Sequence, residues 1–576
     1  MKNEKLPIGE KQLQQARETL RRYRQGKANL EQRIIDNEQW YKMRHWECMR
    51  KEKNQVEPSS GWLFNAIANK HADAMDNIPA PSILPREKGD QAQAEILSAI
   101  VPVVLEQNDF EEVYHNIWDY KLKAGTGVYG VFWDKSKLNG LGDITITKVD
   151  ILNLFWESGV TDIQASRNLF HVQLLDNDLL LEKYPQLASQ LGETGEVSKY
   201  IYDDAVDTTE KTAVVDWYYK KGGRLHYCKF AGSTVLFATE NEPDYAHRGW
   251  YDHGLYPFVF DPLFRVEGSP CGFSYIDVGK SAQEYIDRGN QAIMQNLLAN
   301  TKPRHFIRSD GCVNEQEYAD LTKEFVHVEG PLSADSIVPI EGKQLGGIYV
   351  EVINNKIDEL KEVTGNRDIS TGGTSSGVTA ASAIAAMQEA GSKLSRDNNK
   401  ASYRAFRRVV LMVIELIRQF YDLPRTFRVT GADGAARFME YSNQSLKVGQ
   451  FGAPVFDVQI TAQKKSPYSR VSQNELALQF YSAGFFDPQL SQQALACLEM
   501  MDFDGKQFVM SRIARNGDLA QRRAQLAQVL GGAQMAAQLA QQQGGKPKKK
   551  TVPAPKGDHS VTAKARQRVA ESTNPT

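Results

Sequence analysis

The glycine-rich stretch from Gly372 to Thr379 has the spacing of a phosphate-binding loop. In the pattern G-x-x-x-x-G-K-[ST], backbone N–H groups surround the phosphates, a lysine reaches them and a hydroxyl contacts Mg²⁺. Gly372, Gly377 and Thr379 fit, but Val378 occupies the position of the lysine. The preceding residues also follow a helical pattern, whereas this loop should follow a strand. We therefore interpret the segment as a polar loop without nucleotide chemistry.

A second glycine pattern, G-x-G-x-x-G from Gly125 to Gly130, has the spacing of a dinucleotide-binding loop. That loop leads from a strand into a helix, whose N-terminus binds the pyrophosphate. Here a helical pattern comes first and the strand-like VYGVFWD follows, which is the reverse order. The sequence predicts a tight turn from a helix into a strand instead.

Other groups that could do chemistry are scattered. The ten histidines include no H-x-x-x-H pair and the five cysteines no C-x-x-C pair, so no zinc site is predicted. The adjacent carboxylates Glu111-Glu112 and Asp358-Glu359 are on predicted helices, where neighbours point in different directions. Ser281 and Ser382 lack the G-x-S-x-G context of a nucleophile. We predict no enzymatic activity, no metal and no cofactor.

The composition is that of a globular chain with several domains. Of its 576 residues, 41% are hydrophobic and 24% charged, and the formal net charge is -2. The cysteines are far apart and no apolar N-terminal signal is seen, so the protein is predicted to reside in a reducing cytosol. The longest apolar run, Val409–Ile414, is far shorter than the ~20 residues of a membrane span, so no transmembrane segment is predicted.

The sequence patterns of the helices and strands that position these residues predict a mainly helical α+β fold. Apolar periodicity predicts helices at 11–49, 65–75, 91–120, 275–300, 347–363, 380–421 and 472–541. Between them, strand patterns separated by short turns predict an antiparallel sheet or small barrel from 128–134, 143–149, 169–175, 213–221, 224–230 and 233–238. We predict a proline-rich connector at 78–81, a small α/β insert at 302–346, and strands at 426–430 and 455–461.

A stripe of positive charge recurs at three- or four-residue spacing along the predicted helix 380–421. Its members are Lys393, Arg396, Lys400, Arg404, Arg407 and Arg408. The stripe is predicted either to pair with an acidic surface, in the same subunit or the next, or to contact nucleic acid. The tail lysines Lys546, Lys548, Lys549 and Lys550 allow the same two interpretations, a solvated tail or a nucleic-acid contact.

The order of these parts resembles the portal protein of tailed double-stranded DNA bacteriophages over nearly the whole chain. The resemblance is carried by Ala124-Gly125-Thr126-Gly127 before Val131-Phe132-Trp133-Asp134, by Gly272-Phe273-Ser274 before Gln283-Glu284, by Gly377-Val378-Thr379-Ala380-Ala381-Ser382-Ala383, and by Ser466-Pro467-Tyr468-Ser469-Arg470 before Glu475. None of these motifs is diagnostic alone, but their order over some 350 residues makes coincidence improbable.

This resemblance implies a portal-like wing, stem, clip and crown architecture with long helices. The strand-rich wing would comprise 1–272 and 422–471, and the stem the helices at 273–300 and 347–363. A small α/β clip would span 301–346, a tunnel loop 364–379 and a long helix 380–421. Crown helices would follow at 472–541, and a disordered basic tail at 542–576.

The resemblance also implies a function and partners. The chain would form a dodecameric ring at one capsid vertex of the virion, a channel through which double-stranded DNA is packaged and ejected. Its partners would be the terminase large subunit, a head-completion or adaptor protein, and the major capsid and scaffolding proteins, with no membrane. Assembly would take place in the host cytoplasm.

Three sets of site residues follow from the resemblance. The tunnel loop would touch DNA through Arg367, Ser370, Thr371, Thr374, Ser375 and Ser376. Acidic stem positions suited to DNA passage would be Glu351, Asp358 and Glu362. The clip would dock the motor or adaptor through Lys302, Arg304, His305 and Arg308.

The sequence leaves two other functions open. A nucleotide-dependent DNA-packaging enzyme, similar to a terminase, would need the lysine that Val378 replaces and acidic residues at strand ends. Another structural head or connector protein would differ from a portal in lacking a ring with a central pore.

Overall fold

A computed structural model describes residues 7–50, 55–187, 191–192, 200–201, 204–205, 209–301, 305–307, 314–320, 327, 337–339, 346–365, 393–430, 436–447, 454–464, 477–499 and 506–529. The chain divides into two compact units, Met1–Lys465 and Ser466–Thr576. Helices account for most of the regular structure, and the fold class is α+β, as the sequence predicts.

The helices of the first unit include five of 17 residues or more that frame the fold. In chain order they are α1 (Glu10–Tyr41), α2 (His45–Cys48), α3 (Trp62–Met75), α4 (Gln91–Gln107), α5 (Phe110–Ala124), α6 (Asn177–Lys183), α7 (Pro243–Ala246), α8 (Tyr275–Thr301), α9 (Glu315–Ala319), α10 (Ile348–Thr364) and α11 (Lys393–Phe420). In the second unit, α12 (Ser491–Glu499) and α13 (Lys506–Val529) enclose a small core that includes Leu498 and Ile513.

Within the described residues, the strands all lie in the first unit. They are β1 (Asn77–Pro85), β2 (Thr126–Asp134), β3 (Asp143–Lys148), β4 (Leu154–Trp156), β5 (Asn168–Asp176), β6 (Tyr200–Ile201), β7 (Asp204–Ala205), β8 (Lys211–Lys221), β9 (Arg224–Ala231), β10 (Thr234–Ala238), β11 (Phe258–Pro262), β12 (Phe264–Arg265), β13 (Gly272–Phe273), β14 (His305–Ile307), β15 (Ile337–Pro339), β16 (Arg425–Thr430), β17 (Ala436–Tyr441) and β18 (Phe456–Lys464).

The predicted strands between α5 and α8 form two antiparallel sheets rather than one. A five-stranded sheet has the order β10-β9-β8-β5-β4, and a three-stranded sheet has the order β11-β2-β3. One face of the larger sheet packs against α1, through residues such as Phe170 and Leu20. The smaller sheet contributes to the main core around α5 and α11, where Tyr129 and Phe406 are buried. Helices α1, α5 and α11 therefore each cover part of these sheets.

The proline-rich segment predicted as a connector is instead strand β1, which pairs along its length with β18. Pro79, Pro81 and Pro85 alternate along this strand, so the positions without N–H groups share one edge. That edge faces away from β18, because the N–H of Ile83, two residues from Pro81, donates to the Ser98 hydroxyl of α4 at 3.0 Å. Prolines are tolerated here since the ladder to β18 does not use their nitrogens.

The helix predicted at 91–120 is divided into α4 and α5 at Asn108 and Asp109. Asp109 has a φ of 47°, in the left-handed region that Asn and Asp tolerate better than most residues. The Asn108 side chain donates to the Val104 carbonyl at 2.8 Å and accepts from the Ile146 N–H at 3.2 Å. Periodicity missed the break because the apolar pattern continues across it.

The predicted helix-to-strand turn at Gly125 is confirmed. Gly125 ends α5 with a φ of +84° and leads directly into β2. A Cβ at this position would lie 2.7 Å from the Gly272 carbonyl oxygen, so the close approach of two backbone segments also requires glycine. The G-x-G-x-x-G pattern therefore has a structural explanation. In the part of the chain described, no helix has the length and hydropathy to cross a membrane.

Candidate functional site

Helices α8 and α10 form an antiparallel pair with a close contact at glycine. A Cβ at Gly289 of α8 would lie 2.8 Å from Ile353 of α10, and one at Gly279 would lie 3.9 Å from Thr364. Residue numbers thus rise along one helix as they fall along the other. Ile353, Leu360 and Thr364 are buried on the inner side of α10. The residues that join the two helices in sequence are those of the predicted clip.

The predicted acidic stem residues share the outer side of α10. Glu351, Asp358 and Glu362 are all exposed. At 100° per residue, the steps of seven and four residues between them keep the three carboxylates within about 40° of one another. The same arithmetic places Ile353 and Leu360 on the opposite side. The pair therefore presents a line of negative charge to its surroundings.

The same two helices also expose an unusual amount of apolar surface. Tyr285 is 59% exposed, Leu297 54% and Val350 55%. Other exposed members of this apolar surface are Met294, Leu298, Ile348, Tyr349 and Val352. Single exposed apolar residues are ordinary, but their concentration on one helix pair is typical of surfaces that meet a partner, here on more than one side of α10. We call these eight residues the hairpin patch.

The basic stripe lies on the exposed side of α11. Arg396, Lys400, Arg404, Arg407 and Arg408 are all exposed, and the opposite side, including Phe406, Val409 and Val413, is buried. Arg407 lies 3.9 Å from the Asp457 carboxylate of β18, which also accepts a 2.7 Å bond from Arg86. At least one cation of the stripe thus faces an acidic group of its own chain. The Lys393 side chain is outside the described residues.

The remaining predicted site residues are mostly outside the described part of the chain. This holds for the tunnel-loop residues Arg367, Ser370, Thr371, Thr374, Ser375 and Ser376, and for Lys302, Arg304 and Arg308 of the clip. His305 lies in β14, which pairs with β15, and α9 lies between these strands in sequence. The described clip residues thus include both strand and helix.

Buried polar networks were not predicted from the sequence. Lys121 of α5, completely buried, donates to the Asp261 carboxylate of β11 at 2.8 Å and to the Ser402 hydroxyl of α11 at 3.0 Å. Ser402 in turn donates to Asp261. This network fixes α11 against the sheet and α5. Burial lowers the pKa of Lys121, and Asp261 opposes that shift.

A second network holds α8 against the N-terminal helices. The His45 ring bonds the buried Asp287 carboxylate through Nδ1 at 2.5 Å and the Trp40 carbonyl through Nε2 at 3.0 Å. The ring thus joins two oxygen atoms that lie 242 and 5 residues from His45 in sequence. Asp287 also accepts from the Ser60 N–H and hydroxyl and from Gln283.

A third network surrounds Lys70 of α3, which bonds the end of α10 and the start of α11. A signal for Lys70 and Lys121 was present in the sequence. Lys70 and Lys121 each occupy a position where helical periodicity calls for an apolar residue. The apolar residues of the same row are Leu63, Ala66, Ile67 and Ala74 for Lys70, and Phe110, Tyr114, Ile117 and Trp118 for Lys121.

Within the described residues, no group of three or more His, Cys, Asp or Glu could hold a metal.

The sequence pattern of a family described as "Phage P22-like portal protein" matches residues 64–552. The chain belongs to this portal protein family. This portal chain is therefore a component of the virion with a portal or connector role at the capsid. Membership implies a homo-oligomeric ring that acts with the capsid and DNA. A terminase-like enzyme, the alternative from another functional class, is not favoured.

Two further comparisons concern the portal chain. Among solved structures, it is similar to a chain of one titled "Virion of native gene transfer agent (GTA) particle", with 11% sequence identity and a TM-score of 0.35. That alignment covers 77% of this chain and 96% of the other. No curated protein sequence matches.

Proposed function

We propose that twelve copies of this chain form a ring whose central channel carries double-stranded DNA into the capsid and out of it. The observation that carries this proposal is the α8–α10 pair, which combines the hairpin patch with a line of carboxylates. A subunit packed in a ring needs surfaces to bury against its neighbours, and a channel for DNA needs a surface that does not hold the duplex.

The hairpin patch supports assembly. A closed ring uses a head-to-tail interface, in which one surface of a subunit meets a different surface of the next. Burying apolar area contributes roughly 25 cal/mol per Å², so Tyr285, Leu297 and Val350 would each contribute about 1 to 2 kcal/mol against a neighbour. Long helices also transmit a fixed rotation from one subunit to the next.

The acidic line supports passage of DNA. Each phosphate that a lysine or arginine neutralises adds affinity by releasing counterions. Glu351, Asp358 and Glu362 repel phosphate instead, so a channel they line would let the duplex slide. We propose that the polar segment 364–379 makes the adaptable contact with DNA, where Arg367 supplies the single basic group and Asp368 stands beside it.

Residues 301–346 would dock the terminase large subunit during packaging and a head-completion protein afterwards. Major capsid and scaffolding proteins would surround the wing, 1–272 with 422–471, and the crown, 472–541, would lie inside the head. Assembly would occur in the host cytoplasm. The chain would act without catalysis, because the phosphate-loop pattern near Gly377 lacks its lysine.

Negative-stain electron microscopy of the purified protein tests the proposal. Rings with a central pore wide enough for duplex DNA are expected. Tyr285→Asp combined with Leu297→Asp should reduce the ring fraction at least tenfold, because two charges would enter the buried contact. Leu179→Asp, a change at a leucine 54% exposed on α6, is the matched control and should leave rings intact.

A wild-type protein that stays monomeric at every concentration and salt tested would contradict ring formation. Rings that survive the double substitution would show that the hairpin patch is not the assembly contact.

A further inference from the structure

Lys70 is a buried cation in contact with two parts of the chain that are distant in sequence. Its side chain is 6% exposed. Nζ donates to the Gly365 carbonyl oxygen, at the end of α10, at 3.3 Å and to the Ser395 hydroxyl, at the start of α11, at 3.0 Å. The third neighbour is the Asp73 carboxylate on its own helix, 3.8 Å away.

These three partners match what an ammonium group can use. A lysine has three N–H donors and no acceptor. Ser395 also donates to the same Asp73 oxygen at 3.1 Å, so the hydroxyl accepts from Lys70 and donates to its counter-ion. Burial lowers the pKa of Lys70, and the Asp73 carboxylate opposes that shift. A buried ammonium that loses one partner is costly unless another replaces it.

The two helix ends that contact Lys70, the end of α10 and the start of α11, have well-defined local structure. Thr364 is buried and its hydroxyl donates to the Leu360 carbonyl at 2.8 Å, while Gly365 ends α10 with a φ of +65°. On α11, Asn398 donates to the Tyr275 hydroxyl of α8 at 3.0 Å. Helices α3, α8, α10 and α11 therefore meet where Lys70 lies.

We propose that Lys70 is a positioning residue that couples the end of α10 to the start of α11. It holds Gly365 and Ser395 at one separation, and these residues flank the segment 366–392 that contains most of the predicted tunnel loop. A displacement of either helix end leaves the ammonium short of an acceptor, so the two ends move together or not at all. The consequence for DNA rests on the proposed function: the point where the loop leaves the stem stays fixed as the duplex passes.

Hydrogen–deuterium exchange of the full chain, read by mass spectrometry, tests this coupling. Lys70→Met removes the donors and keeps a side chain of similar length. We expect amide exchange to rise about tenfold both at 360–365 and at 395–402, with little change in β8. Ser395→Ala is the more informative variant, because the described hydrogen bonds of Ser395 go to Lys70 and Asp73 of α3. If Lys70 couples the two helix ends, Ser395→Ala should raise amide exchange at 360–365 about threefold.

The double variant and a control separate coupling from a general loss of stability. Adding Ser395→Ala to Lys70→Met should cause no further rise at 360–365, because the link is already broken. Lys27→Met is matched in chemistry, since Lys27 is a buried lysine that donates to the Ile151 and Leu152 carbonyls. It should raise exchange near 151–154 and leave both Lys70 sites unchanged.

Two outcomes would overturn the coupling. One is a rise at only one of the two sites in Lys70→Met, and the other is no change at 360–365 in Ser395→Ala. Should Lys70→Met not fold, the Ser395→Ala result decides. The Lys70 contacts lie within one subunit, so the variants can be compared whether or not rings form. A wild-type protein without rings would therefore refute the proposed function and leave the role of Lys70 intact.

Discussion

At the scale of single residues, this protein uses buried polar and charged side chains to join elements that are far apart in sequence. Lys121, Lys70 and His45 each connect helices or strands more than 100 residues apart. A sequence pattern cannot reveal such partners, because Asp261 and Ser402 become neighbours of Lys121 only after the fold has formed. What the sequence does show is a lysine in an apolar row.

Replacing Lys121 by methionine should lower the free energy of unfolding of the first unit by about 3 to 5 kcal/mol. The substitution leaves the Asp261 carboxylate buried without its counter-ion. Chemical denaturation measures the loss. Lys121→Met combined with Asp261→Asn should recover part of it, since the remaining buried charge is then gone, and Lys183→Met, at an exposed lysine, should change little. Equal stability of Lys121→Met and wild type would contradict the role of the network.

His253 should make stability depend on pH. Burial lowers the pKa of this histidine to about 4, and its Nδ1 accepts the Leu255 N–H at 2.9 Å. Between about pH 6.5 and 4 the unfolded chain binds a proton that the folded chain excludes. The contribution of neutral His253 to the free energy of unfolding is therefore complete above pH 6.5 and decreases as the pH falls through this window.

The measurement is the melting temperature from pH 5 to 7. His253→Asn supplies an oxygen acceptor for the Leu255 N–H but cannot be protonated there, so its melting temperature should decline less than that of the wild type. Parallel curves for the two proteins would show that His253 does not titrate in this range.

At the scale of elements, long periodic segments were predictable and local exceptions were not. The helix predicted at 275–300 is α8, and that at 347–363 is α10, within one or two residues at each end. Both have an apolar side that buries residues such as Ile286 and Leu360. Strand β1 escaped prediction because its prolines suggest a connector, and only the pairing with β18 explains them. The wing, stem, clip and crown boundaries remain predictions.

The basic stripe of α11 allows an experiment that separates its two interpretations. Lys400→Ala with Arg404→Ala removes two exposed cations. If the stripe contacts DNA, the slope of log affinity for duplex DNA against log salt should become less negative by about 1.8, since each lost phosphate contact removes about 0.9. Fluorescence anisotropy at several salt concentrations gives this slope. An unchanged slope, with rings weakened, would favour an acidic protein surface as the partner.

At the scale of the whole molecule, family membership decides the function and the chain's own features support how it works. The motifs that hinted at nucleotide chemistry could be dismissed from the sequence, through the missing lysine and the reversed order around Gly125. Of the candidate site, only the line of exposed carboxylates could be predicted, because Glu351, Asp358 and Glu362 follow a helical period. Which surfaces meet in a ring depends on shape, and sequence patterns carry no such information.

Deleting Ile369–Gly377 should separate assembly from DNA handling. We expect rings to form as in the wild type, because all the deleted residues except Ile369 are polar or small and carry little apolar area to bury. Packaged DNA, measured as the nuclease-resistant genome in particles, should fall at least tenfold. Loss of rings would show that the segment is structural, and normal packaging would remove it from the DNA contact.

The pairing of β1 with β18 has a consequence for synthesis. Arg86 and Asp457, bonded at the end of this ribbon, are 371 residues apart. At about 5 to 20 residues per second, a ribosome needs roughly 20 to 75 seconds to make the second strand after the first. During that interval β1 is a strand without its partner, the kind of edge at which nascent chains join one another. The prolines lie on the opposite edge of β1, which faces α4, so the N–H groups that later donate to β18 stay open to a foreign strand until β18 is made.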